Sequence, residues 1–490
     1  MLKFLAFEDG KPAKNRPLRN AYLIGADGSA MRGEIAFRNG LITCEKREGG
    51  AAALALLQPI GDCGEVTLQT CLLPDREEPY LLNLELARHR LMVLYHKLED
   101  WAMFELSPEH PVIRRLELGR KLFIEALCLQ SEDPARCDQL ALECLCAAVD
   151  GSEELAVAHA ELLVQRRRST QALPRHPFGV GVTLDENHER LRPGLTGAVD
   201  FLCLPTPWKA LTPAESEYRW QPTDAWVEWA SKSRIPVVAG PVISFEPQQV
   251  PDWLYIWEHD YDTVRDLMYE HVERLVNRYR NVINAWNIVS GLHVNSHFAF
   301  SFDQLMDLTR MTTMLVKKIQ PAAKVIIEVR QPFGEYYGSN QRSIPPLMYA
   351  DLIVQNAIQF DAIGLRLLMG QAQPGQFVRD LMQVSNLLDQ FGAYGKPIYL
   401  TMATPSEVVT EAMLVSPDGQ ASADAHAGFW RRAWSPLVQG KWAEAALQVA
   451  MSKPFVDAVA WADLVDHPKI DLPLGGLISE DLQPKPAFRK

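Results

Sequence analysis

From Pro177 onward the chain repeats one pattern eight times: a short apolar run, a loop, then a stretch with helical periodicity. The apolar runs fall at 179–184, 199–204, 236–243, 285–289, 325–329, 362–367, 398–401 and 458–461. Eight β units alternating with helices over roughly 310 residues is what a closed parallel barrel requires. A doubly wound open sheet is the competing architecture, and its nucleotide-binding form needs a G-x-G-x-x-G after the first strand, which is lacking here. The fold expected for 178–490 is therefore an α/β, (β/α)8 TIM barrel.

The part before the barrel reads differently. Residues 1–78 alternate apolar and polar side chains in short runs, clearest in Glu34-Ile35-Ala36-Phe37-Arg38 and Leu41-Ile42-Thr43-Cys44. Asn39-Gly40 between them is a hairpin signal, because both residues tolerate the left-handed backbone that a tight turn demands. Over 79–170 the period becomes helical, with Leu82, Leu86, Leu91 and Leu94 on one face and further helical runs at 114–130 and 134–148. Arg166-Arg167-Arg168 reads as a solvated helix end, and the polar stretch 171–177 as a linker. A smaller β-plus-helical N-terminal domain, with a β-rich module at 1–78 and helices at 79–170, is expected ahead of the barrel.

A formal net charge of −12 disfavours nucleic acid and anionic membranes, both of which reward clustered Lys and Arg. Hydrophobic residues at 47% suit an ordinary globular core. The apolar start Met1 to Phe7 is too short for a secretory leader, and no run is long enough to span a bilayer, so a cytoplasmic protein is expected. The eight cysteines show no paired C-x-x-C spacing and read as reduced thiols. His293 and His297 lie four apart without the glutamate of a zinc-protease motif, and neither a metal nor a cofactor is expected.

Four segments of the barrel carry a resemblance to a known family. They are Pro251-Asp252-Trp253-Leu254, preceded by Gly240 and Phe245; Asn277-Arg278-Tyr279-Arg280 with 283–289; Phe360-Asp361-Ala362-Ile363-Gly364-Leu365 with 395–401; and Trp461 and Asp466 with the tail 475–488. In this order and spacing they resemble glycoside hydrolase family 10, the endo-1,4-β-xylanase family. The resemblance covers nearly the whole barrel and none of 1–170.

The resemblance implies a retaining mechanism, which needs two carboxyl groups about 5 Å apart, one to protonate the leaving oxygen and one to attack the sugar. In the positions that match the family's acid/base motif the sequence reads Trp286-Asn287-Ile288-Val289-Ser290-Gly291, so Gly291 stands where the acid/base would be. Met402, after Leu400-Thr401, stands where the nucleophile would be, and Leu368 where a supporting histidine would be. Leu368 with Met402 reads as an apolar replacement of both partners of a polar pair, which is nearly neutral where loss of one partner is costly. Of the family's sugar-binding stretch after strand two only Lys209 remains, within Pro205-Thr206-Pro207-Trp208-Lys209.

New charged groups stand at or near strand ends: Glu246, Glu328, Arg330, Arg366 and Asp463. Two readings are open. Glu246, Glu328 and Asp463 supply a relocated catalytic pair, or Glu328 pairs with Arg330 or Arg366 in polar space left by the old site, since buried charges are rarely single. Trp208, Lys209, Arg330, Arg366 and Trp461 are candidates for ligand contacts, with Trp208 placed to offer an aromatic platform. The resulting expectation is a catalytically inactive xylanase-like barrel that binds a carbohydrate or a protein partner. The alternatives are an O-glycosyl hydrolase acting on xylan or another polysaccharide through a rearranged carboxylate pair, and a structural scaffold. Oligomeric state is left open.

Overall fold

A computed structural model describes residues 1–184, 190–408, 426–468 and 470–489. The eight apolar runs form eight parallel strands: Phe178–Gly181, Phe201–Leu204, Val237–Ala239, Ala285–Ser290, Lys324–Arg330, Ala362–Leu368, Ile398–Ala403 and Val456–Trp461, called strands one to eight below. Each pairs with its neighbour, and strand one pairs with strand eight through Gly179 and Ala460, which closes the barrel. Strand three is shorter than its apolar run. The chain breaks at Gly240, whose φ of 137° suits glycine, and resumes as Ile243–Ser244 against Val289 and Ser290. A Cβ at Gly240 would lie 2.2 Å from the Asn287 carbonyl oxygen, so only glycine allows this approach.

Helices start where the sequence supplies caps. Ser301 with Gln304 and Asp380 with Gln383 form capping boxes for Phe302–Ile319 and Leu381–Gly392, each satisfying two backbone donors at a helix start. The apolar faces of these helices cover the outside of the barrel, and Trp286, Trp442 and Phe391 are among the largest fully buried side chains there.

The N-terminal 81 residues form two small sheets and a two-stranded ribbon, Phe7–Glu8 with Lys11–Pro12. The hairpin Gly33–Arg38 to Leu41–Lys46 turns at Asn39 and Gly40, both with positive φ, as the dipeptide predicts. Helices Leu82–Asp100, Pro111–Leu129 and Pro134–Ser169 follow. The third runs far beyond the 134–148 read from sequence, over 36 residues. Gly151 in its middle is a contact point, where a Cβ would meet Arg115 at 2.9 Å.

The barrel and the N-terminal unit are joined by more than the linker. Phe429–Trp430, from the segment after strand seven, adds a fifth strand to the sheet that contains Gly64–Gln69. Arg379, after strand six, bonds Glu335 at 2.5 Å, the Tyr22 hydroxyl at 3.2 Å and the Thr67 carbonyl. Its neighbour Asp380 meets Arg90 at 2.6 Å, and Glu153 accepts from the Leu381 amide and the Trp430 indole. Arg167, expected at a solvated helix end, instead donates to the carbonyls of Met451 and Lys453. One apolar core runs from Leu2 to Ile478 across both parts. Residues after strands five, six and seven, at the C-terminal face of the barrel, are thus clamped by the N-terminal unit.

Candidate functional site

In barrels of this class the chemistry sits at the C-terminal ends of the strands. The strand ends here bring together four acids and two arginines. Arg330, at the end of strand five, places Nε 2.7 Å from Glu246 and Nη2 3.0 Å from Asp471. Arg366, on strand six, donates to the same Asp471 oxygen at 2.7 and 3.2 Å. Glu246, Arg330, Asp471 and Arg366 therefore form a continuous chain of ion pairs across the mouth. Burial alone would raise the Asp471 carboxyl, but Arg330 and Arg366 outweigh it and hold the group well below the usual carboxylate range. Glu246 is raised by burial, with Arg330 opposing the shift.

Glu328 pairs with neither arginine through a direct bond. Its Oε1 accepts from the Ser290 hydroxyl at 2.5 Å across strands four and five. Asp463, just past strand eight, is half-buried and makes no hydrogen bond among the described residues. Burial pushes its carboxyl up to about 7, Arg366 opposing and Asp471 adding to the rise.

The positions matched to the family's catalytic pair carry no carboxylate. Gly291 follows strand four with a φ of 66°, and the aliphatic part of Arg330 lies over it, so that a Cβ would come 2.9 Å from the Arg330 Cδ. Met402 is 1% exposed. The pairing of strands six and seven sets Leu367 against Met402 and Leu368 against Ala403. Since successive side chains alternate between faces, Leu368 and Met402 lie on opposite faces of the sheet and do not form the expected apolar pair. Tyr399 and Thr401 are the strand-seven residues that alternate toward the barrel axis, where they line a cavity of about 60 Å³.

The two candidate tryptophans, Trp208 and Trp461, are enclosed. Trp208 is 3% exposed, stacked on His271 with ring centroids 4.7 Å apart and edge-on to Trp253 at 6.0 Å. It offers no platform to a sugar, because the helix Tyr261–Tyr279 supplies His271 against its face. Trp461 is 6% exposed, with its indole N–H on the Gly475 carbonyl. Lys209 bonds Asp252 at 2.5 Å on the outer rim. His293 is buried, donates to the Arg330 carbonyl and stacks on Tyr349, while His297 lies against the Tyr255 ring. Burial lowers the His293 imidazole to about 4. No cluster of three His, Cys, Asp or Glu side chains able to hold a metal occurs among the described residues, and no described helix is long and apolar enough to cross a membrane. A larger, shallow depression of about 580 Å³ lies at the opposite end of the barrel, where Lys317 and Asp361 already pair at 2.7 Å.

Asp471 and Ser290 are the site residues that the sequence reading missed as such. Ser290 carries no charge to mark it beside Gly291, and Asp471 lies in a loop beyond strand eight with no periodic signal around it.

Fold and site together define an eight-stranded α/β barrel with an ion-paired mouth. Residues 205–326 match the family described as glycosyl hydrolase family 10, a span that includes Gly291 and ends short of Met402. Among solved structures the chain is similar to native xylanase 10B from Thermotoga maritima, at 14% identity and a TM-score of 0.48, over 66% of this chain and 95% of that one. Xylanase B from Clostridium stercorarium F9 is similar at 14% identity and 0.46, over 66% and 97%. A family 10 structure from Paenibacillus barcinonensis follows at 16% and 0.46, over 65% and 95%. No curated protein matches the chain.

Proposed function

We propose that this chain is a family 10-like barrel that does not hydrolyse glycosides and acts by binding. The observation that carries the reading is the ion-pair chain Glu246–Arg330–Asp471–Arg366 across the mouth. A general acid must be free to release its proton to a substrate oxygen, and a nucleophile must be free to attack. Glu246 and Asp471 are each held by arginine, and Glu328 is held by Ser290 behind them. Strand four ends at Ser290 with Gly291 after it, and strand seven turns Thr401 to the axis, so neither supplies a replacement. The cavity on the axis is far below the about 300–1,000 Å³ of an ordinary small-molecule pocket, and the enclosed tryptophans offer no sugar platform. These features favour a protein partner over a polysaccharide on the mouth face.

A second reading rests on Asp463. A carboxyl raised to about 7 is poised to act as an acid at neutral pH, and it lacks an arginine clamp. One experiment separates the two. The purified chain is incubated with xylan, xylo-oligosaccharides and aryl glycosides, products are assayed, and binding is followed calorimetrically in the same samples. The expected result is no product with any substrate. Turnover that disappears in Asp463→Asn or Glu246→Gln overturns the proposal in favour of a rearranged hydrolase.

A further inference from the structure

Beneath the ion-pair chain, the lining of the barrel axis mixes small and polar side chains with the apolar Phe201, Val238, Ile326 and Leu400. Cys203, Asn287, Glu328, Arg366, Tyr399 and Thr401 supply the polar wall, and Ala458, Ala460 and Ala462 leave room beside them. A water needs roughly 10–15 Å³ of such space, so about 60 Å³ suits a molecule of about four to six non-hydrogen atoms.

The polar wall has unspent bonding capacity. Asn287 Oδ1 is buried and has no protein partner. Arg366 uses Nε and Nη2 on Asp471, and Glu328 uses Oε1 on Ser290. Arg366 Nη1, Glu328 Oε2 and the Thr401 hydroxyl make no hydrogen bond among the described residues. Buried polar groups are satisfied in native proteins, so the orphaned Asn287 Oδ1 calls for a donor, and Arg366 and Glu328 on the same wall can serve the acceptor and donor of one further molecule. The lining holds one guanidinium, Arg366, and one carboxylate, Glu328, so an ion of either sign meets a like charge there as well as an opposite one.

We propose that the barrel axis is a binding site for one small neutral molecule with an N–H or O–H donor beside a carbonyl or hydroxyl acceptor, such as a small amide or diol. Its donor meets Asn287 Oδ1 and Glu328, and its acceptor meets Arg366. The site lies deeper than any cleaving pair at the mouth and does not depend on whether the mouth hydrolyses glycosides.

The test uses the full chain and three probes of equal size: acetamide, acetate and acetamidinium. Binding is read by calorimetry and by ligand-observed NMR. Acetamide is expected to bind saturably at one equivalent, with acetate and acetamidinium weaker by about tenfold or more, the scale of one lost or frustrated hydrogen bond. Ala460→Val, which fills the cavity, and Thr401→Val, which removes one hydroxyl at constant volume, are each expected to weaken acetamide by about tenfold. Thermal melts confirm that both variants remain folded, and Thr401→Val stands alone if Ala460→Val does not fold. Absence of saturable acetamide binding overturns the proposal, as does binding unchanged in the variants that fold, or preference for either ion.

Discussion

Replacing Asp471 by Asn tests whether the mouth charges are structural. The side chain keeps its size but can no longer neutralise Arg330 and Arg366, which are 9% and 17% exposed. Removing one partner of a buried ion pair costs about 3–5 kcal/mol, because the remaining charges stay desolvated. Unfolding entropy of about 2.1 cal/mol/K per residue gives a 490-residue chain that melts as one unit about 1 kcal/mol/K in all, so Tm falls by about 3–5 °C. Differential scanning calorimetry at pH 7 reads the shift. The same variant has a signature in acid. The Asp471 carboxyl is held below its unfolded value of about 3.9, so its stabilisation is full above that pH and is lost as pH falls through the folded value. Between pH 7 and pH 3 the gap between wild type and Asp471→Asn therefore narrows only at the acid end. A shift below about 1 °C at pH 7 with an unchanged circular dichroism spectrum refutes the structural role, and with it the argument that these acids are unavailable for catalysis.

Glu335→Gln leaves Arg379 buried without its counter-charge and is expected to lower Tm by about 3–5 °C, while calorimetry still shows a single transition; separate melting of residues 1–170 contradicts the shared core. Asp463→Asn acts with the opposite pH sense. A carboxyl raised to about 7 makes stability fall as pH rises from about 4 to 7, so the variant gains on wild type across that window and holds the gain above it, as urea titrations at pH 5 and pH 8 will read. Gly291→Glu combines a left-handed backbone, costing roughly 1–2 kcal/mol, with a Cβ pressed on Arg330, so a lowered urea midpoint and no gain of xylan hydrolysis are expected.

The eight strands were legible because each is an apolar run between turn-forming residues, and the Asn39-Gly40 hairpin because two positive φ angles demand such residues. Strand three is shorter than its apolar run implies, since an apolar pattern through Val242 and Ile243 does not reveal the break that Gly240 makes beside Asn287. The partners in the mouth were less accessible. Asp471 is 141 residues from Arg330 and 105 from Arg366, and nothing local marks it. Trp208 looked free because it follows a strand, yet its face is filled by His271 from a helix 53 positions past Tyr218, a residue that bonds the same imidazole. The added strand Phe429–Trp430 has two residues, too few for alternation to show.

The two halves of the mouth are fixed by different means. On one side the N-terminal unit grips the segments after strands five, six and seven through Glu335, Arg379, Asp380 and Trp430. On the other side Glu246, following strand three, and Asp471, beyond strand eight, are tied to Arg330 and Arg366. Gly291 belongs to the same arrangement, since Arg330 reaches both acids along a path that crosses the glycine. Enzymes that enclose a substrate move such loops, and the hinges need backbone free of buried ion pairs. Here opening the segments after strands three, five, six or eight breaks a buried charge contact, and moving Phe429–Trp430 breaks its pairing with Gly64–Gln69. Among the described residues, the ion-paired acids and the fixing of these segments both support the proposed reading, a surface that is recognised rather than a cleft that closes on a chain.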